Sequence, residues 1–146
     1  MSEVDNELSQ YVDLMKKGEL TNLSPLLPVM FQLRGKPFSL KDHMIWEPLF
    51  NTRVPKKRTI VCGRQVGKSE TSAVQILSWS KLKQYNNILY VAPRDNQTKI
   101  FSNDKVAPYL DGSPIFSDRD SKLPNGTYTR SVQQGSNIYF SYAFLD

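Results

Sequence analysis

The run Gly67-Lys68-Ser69 combines three residue types that together handle phosphate. Glycine lets a backbone approach an anion closely, an ammonium neutralises phosphate oxygens, and a hydroxyl helps to coordinate Mg²⁺. The run closes the segment Cys62-Gly63-Arg64-Gln65-Val66-Gly67-Lys68-Ser69-Glu70. A phosphate-binding loop reads G-x-x-x-x-G-K-[ST]. Gly67, Lys68 and Ser69 satisfy its second half. Cys62 stands at the first glycine, and Gly63, one position on, supplies part of the needed backbone freedom. In this reading the amides from Cys62 to Glu70 wrap the phosphates of ATP, Lys68 reaches the β- and γ-phosphates, and Ser69 holds Mg²⁺. Arg64 fits either of two roles, an arginine finger supplied in cis to the γ-phosphate, or a surface arginine or ion pair with a nearby Asp or Glu.

Such a loop needs a strand before it and a helix after it. Arg58-Thr59-Ile60-Val61-Cys62 is β-branched and predicts a buried parallel strand. Ser69–Tyr85 predicts a helix with Ala73, Ile76, Leu77 and Ser80 on one side, ended by Asn86-Asn87. Ile88–Ala92 predicts a second buried strand closed by Pro93. Asp95 or Asn96 then caps a helix to about Val106, ahead of Pro108. This strand–loop–helix–strand–helix order is the βαβ pattern of an α/β domain.

The flanking stretches are less regular. Leu8, Tyr11, Val12 and Met15 share one face of a short helix that Gly18 ends, and Pro25 and Pro28 break any continuation. Gly35 and Pro37 mark a turn, and Ser39 is placed to cap a helix from Leu40 to Trp46 that Pro48 limits. Asp111–Asn125 reads as a loop. Thr127–Gln133 and Ile138–Phe144, separated by Gln134-Gly135-Ser136-Asn137, predict an antiparallel hairpin.

Bulk properties narrow the setting. The chain has 146 residues and a formal net charge of +5, which suits a polyanionic partner. Cys62 is the only cysteine, so no internal disulfide forms, as in a reducing compartment. Met1–Gln10 is acidic and polar, unlike a signal peptide, and no apolar run approaches the roughly 20 residues of a membrane span. The lone His43 has no Cys or second His beside it, so zinc is not expected. Arg53, Lys56, Lys57 and Arg58 suit a solvated loop better than a DNA contact. Trp79 reads as core.

Cys62, Arg64, Gln65, Gly67, Lys68 and Ser69 together resemble the divergent Walker A loop of the large terminase subunits of tailed bacteriophages. Ile88–Pro93 with Asp95, Gln97, Phe101 and Ser102 resembles the strand and helix that follow that loop. Gly135-Ser136-Asn137-Ile138-Tyr139-Phe140 resembles the strand before the family's acidic motif. Gly35–Leu40 and Trp46–Phe50 are similar to the region ahead of the loop in one subgroup. The resemblance implies a P-loop NTPase fold and an ATP-driven motor that docks on a portal protein and drives double-stranded DNA into a procapsid. It further implies a small terminase subunit as partner, a homo-oligomeric ring, the host cytoplasm, and Arg64 as the Walker A arginine at the γ-phosphate.

Two departures from the family matter. No Asp-Glu dipeptide occurs in the chain, although the family's Walker B strand ends in one. An adenine-reading glutamine has no clear place, with Gln32, or stacking by Phe38 or Trp46, as candidates. The expectation is therefore an α/β P-loop domain with a parallel sheet and flanking helices, truncated after a hairpin before Walker B. It comprises a helical arm at 1–30 and an incomplete ATPase domain at 31–146. As such a fragment it binds nucleotide and hydrolyses it poorly. The alternatives are a helicase-like DNA translocase fragment and a non-hydrolysing nucleotide-binding piece that assembles with a second chain.

Overall fold

The computed structural model describes residues 6, 9–11, 13–14, 17–53, 55, 57–133 and 135–144. In the amino-terminal arm Asn6, Ser9–Tyr11, Asp13 and Leu14 are helical, while Leu8, Val12 and Met15 lie outside the described residues. Gly18 ends the helix as expected. It takes φ +75°, and the Glu19 amide reaches back to the Leu14 carbonyl at 2.9 Å, a left-handed cap that suits glycine. Proline opens each of the next two turns, a 3₁₀ turn at Ser24–Leu26 and helix α1 at Leu27–Met30. The predicted Gly35 turn joins β1 (Gln32–Leu33) to β2 (Lys36–Pro37), with Arg34 and Gly35 both at positive φ.

The helix expected at Leu40–Trp46 is a 3₁₀ segment further on, at Met44–Phe50. Pro48 lies inside it and supplies no amide, which an α-helix there would need. The segment serves the core: Trp46, Leu49 and Phe50 are buried.

Helix α2 spans Lys68–Leu82 and buries Ala73, Val74 and Leu77. It stops short of the predicted Tyr85, which itself sits at positive φ; Asn86 closes the end by donating Nδ2 to the Trp79 carbonyl at 3.2 Å. Strand β3 (Ile88–Ala92) follows, but it is not the buried strand expected: only one of its faces is covered, and Leu89 and Val91 on the other are exposed. The next helix runs further than its sequence suggests, as α3 (Asp95–Ile100), a π-helix (Phe101–Val106) and α4 (Ala107–Gly112) in succession. Pro108 does not end it. The Ala107 amide bonds to the Ser102 carbonyl, a five-residue step, and the proline falls in the first turn of the renewed α-segment, where its missing amide costs little.

The predicted hairpin forms between β4 (Thr129–Gln133) and β5 (Ser136–Tyr142), with Ser136 and Asn137 in the strand and Gln134 outside the described residues. The fold is mixed α/β, with a three-stranded sheet in the order β3-β5-β4, parallel between β3 and β5 and antiparallel between β5 and β4. This corrects the expected parallel sheet. Arg58–Cys62 is not a strand: it is irregular, Ile60 is 48% and Val61 93% exposed, and it pairs with no strand among the described residues. A β-branched run becomes a strand only where a neighbour supplies the other half of its ladder.

The helices cover one face of the sheet, where Tyr90 stacks on Phe101 and Ile138, Phe140 and Val132 are buried. The opposite face leaves Leu89, Val91 and Tyr139 exposed. Buried Arg130 on β4 ties the π-helix to the sheet, donating to Ser102 Oγ at 3.0 Å and Asn103 Oδ1 at 2.8 Å. Its acceptors are neutral, and burial lowers its pKa.

Candidate nucleotide-phosphate site

The segment between Cys62 and helix α2 has a backbone shape its residues only partly advertise. Gly67 takes φ +76° and forms the helix N-cap, as a glycine readily does. Gln65 takes φ +61°, a left-handed conformation that costs a non-glycine residue about 1–2 kcal/mol. These left-handed residues curl the chain into α2. The Gly67 carbonyl accepts the Thr71 amide at 3.0 Å, the bond that opens the helix. The amides of Lys68, Ser69 and Glu70 meet no acceptor among the described residues, and no side chain caps them. Unpaired first-turn amides carry the positive end of a helix dipole.

A hollow of about 310 Å³ lies over this turn. Gly63, Arg64 and Gln65 line one part of it, and Gly67, Lys68, Ser69 and Glu70 another. Cys62 and Val66 instead turn to the core, so the structure separates them from the other predicted loop residues. Cys62 is a free, half-buried thiol. Arg64 is exposed at the rim and forms no ion pair among the described residues, so of the two surface roles weighed for it the ion pair is not made and the plain surface arginine stays open.

The loop is braced from below. Trp46 Nε1 donates to the Val66 carbonyl at 2.6 Å, and the His43 ring lies against Gly67. Gln75 of α2 donates to the Leu49 carbonyl at 2.9 Å and pins the 3₁₀ segment to the same helix. Trp46 is therefore buried brace, not a base-stacking surface. Phe38 packs edge-on against Tyr109, and Gln32 is tied to Ser113 through its backbone, so neither faces this hollow. Arg53, Lys57 and Arg58 are exposed, and Lys56 lies outside the described residues. Trp79 is partly buried, with the Lys83 ammonium 5.1 Å from its ring centroid.

Lys105, on the π-helix, also lines the hollow, although nothing in its sequence spacing links it to a loop thirty-odd residues earlier. Its Nζ lies 2.6 Å from Glu70 Oε1. Burial raises the pKa of the neighbouring Tyr109 hydroxyl, and Glu70 adds to the effect through its charge and a side-chain hydrogen bond, so Glu70 has Tyr109 beside it as well as Lys105. A second hollow of about 410 Å³, along the end of β3, shares Lys68, Ser69 and Lys105 and is lined besides by Pro93, Gln97 and Phe101.

Among the described residues no three His, Cys, Asp or Glu side chains converge on a metal position. The donor here is the Ser69 hydroxyl, which fits Mg²⁺ carried in on phosphate oxygens rather than a cation caged by protein. Comparison with family models, curated protein sequences and solved structures returns no match.

Proposed function

We propose that the chain supplies the nucleotide-binding part of an ATPase motor that drives double-stranded DNA into a viral procapsid, as large terminase subunits do. The observation that carries the reading is the hollow at the start of α2, where Arg64, Lys68, Ser69 and unpaired helix amides surround one space. A polyphosphate meets there a dipole, ammonium and guanidinium charge, and a hydroxyl. Mg²⁺, when bound with the nucleotide, would withdraw charge from the phosphate oxygens, and Ser69 is the residue to hold it.

In this reading Lys68 neutralises the outer phosphates and Arg64, free at the rim, closes over them. The partners follow the same proposal: double-stranded DNA, a portal protein, a small terminase subunit and further copies in a ring, in the host cytoplasm. Among the described residues no helix is long and apolar enough to cross a membrane. A second reading, a non-hydrolysing nucleotide-binding piece that assembles with another chain, draws support from the open sheet face at Leu89, Val91 and Tyr139. The P-loop architecture belongs to the proposal too, since Arg58–Cys62, expected as the strand before the loop, is irregular.

Titration of the protein with Mg-ATP tests the core of the proposal. Wild type is expected to bind, and Lys68→Ala to lose at least tenfold in affinity while melting unchanged. Equal affinities would remove the assignment.

A further inference from the structure

Lys105 and Glu70 form a contact that the loop motif does not account for. Glu70 follows Ser69 in the first turn of α2, and Lys105 reaches it from the π-helix packed alongside. The pair stands where the two hollows meet, and Lys105 lines both, together with Lys68 and Ser69. It is a one-point bridge. Each side chain is about one-third exposed, only one Glu70 oxygen meets the ammonium, and the Tyr109 hydroxyl also faces the Glu70 carboxylate. An ion pair this open to water is weakly held.

Charge balance gives the pair a purpose. Arg64, Lys68 and Lys105 bring three positive charges to one hollow, against the single carboxylate of Glu70. In the absence of an anion, Glu70 neutralises the nearest of them. A terminal phosphate carries more charge than a carboxylate and offers more acceptor oxygens, so it competes for the same ammonium. A lysine suits the exchange because its flexible stem carries three donors that reorient at little cost.

We infer that Lys105 is a ligand for the terminal phosphate of a nucleoside triphosphate, held in reserve by Glu70 until that phosphate arrives. The inference rests on the proposed triphosphate site and deepens it. The loop amides and the helix end take the inner phosphates. The space shared by Lys68, Ser69 and Lys105 is left for the outermost one. Lys105 thus reads the difference between a triphosphate and a diphosphate. Its shift from Glu70 to phosphate acts on the π-helix, which Arg130 ties to β4 through Ser102 and Asn103.

Calorimetric titration of the full chain with Mg-ATP and Mg-ADP tests this. Lys105→Met keeps the apolar stem and removes the charge. It is expected to weaken Mg-ATP binding about tenfold or more, change Mg-ADP binding less than threefold, and leave the melting temperature near wild type. Lys105→Arg should restore most of the preference. Glu70→Gln, which frees the ammonium, should raise the ATP-over-ADP preference several-fold, and it provides the reading if Lys105→Met does not fold. Equal losses for both nucleotides in Lys105→Met, or an unchanged preference in Glu70→Gln, overturn the inference. If wild type binds and Lys68→Ala does not, such a result removes Lys105 alone. If wild type binds neither nucleotide, the triphosphate reading falls with it.

Discussion

Replacing Trp46 with phenylalanine removes a single donor beneath the loop. The indole Nε1 gives its hydrogen to the Val66 carbonyl at 2.6 Å, and the ring is 3% exposed. Phenylalanine still fills most of that space. A neutral hydrogen bond contributes about 1 kcal/mol net, and an abandoned buried carbonyl raises the loss to about 1–3 kcal/mol. Val66 is half-buried, so water can reach part of its carbonyl and the lower end applies, about 1–1.5 kcal/mol. The smaller ring adds a cavity term of about 1–2 kcal/mol to global stability.

The two losses separate because Cys62 is the only cysteine and lies in the segment that Val66 anchors. Labelling of a half-buried thiol by a disulfide reagent proceeds through local opening. A loss of about 1–1.5 kcal/mol corresponds to roughly five- to thirteenfold faster labelling under native conditions. Phe116→Leu is the control, because it weakens the core without touching the loop. Trp46→Phe should label faster and Phe116→Leu at nearly the wild-type rate. Equal rates in both, with comparable losses in urea stability, would refute the idea that Trp46 holds the loop.

Other perturbations follow from single contacts. Gly135→Ala should lower stability in urea titration by more than the about 1–2 kcal/mol that a side chain strained at φ +79° costs on its own. Its Cβ would also meet the Tyr85 ring at 2.3 Å; Tyr85→Ala in the same chain should relieve the ring clash and leave only the backbone cost. Phe31→Ala should cost about 3–5 kcal/mol by circular dichroism, since Phe31 is fully buried with Tyr109 and Phe116 edge-on against it. Asp95 accepts hydrogen bonds from Lys99 and Tyr128, which hold its carboxyl below the usual range. A depressed folded pKa stabilises above the unfolded value of about 3.9 and is lost as pH falls through the folded one. Acid titration of Asp95→Asn should therefore lack part of the wild-type loss of stability below about pH 4.

Much of the architecture is legible in the sequence. Gly18 and Gly35 announced their left-handed turns because few other residues take that conformation cheaply. The Ile88–Ala92 strand and the hairpin around Gly135 followed from β-branched and aromatic runs bounded by turn residues. Helix α2 followed from its apolar spacing. Two local readings failed where a longer-range condition intervened. Pro108 looked like a helix stop, yet the π-turn before it absorbs the missing amide. Ile60 and Val61 looked like a buried strand, yet they are exposed and pair with no strand among the described residues.

The chain's order of residues alone determined that Gly67, Lys68 and Ser69 would stand at the start of a helix, since glycine, cation and hydroxyl are neighbours in the chain and need no distant contact to converge. Only the tertiary structure decided what surrounds them. Trp46 under the loop and Lys105 across the hollow come from segments whose separation along the chain says nothing about their separation in space. Secondary structure depends on near neighbours and leaves a trace in local composition. The approach of the π-helix to α2 depends on how buried faces pack together, and no local window of residues records that.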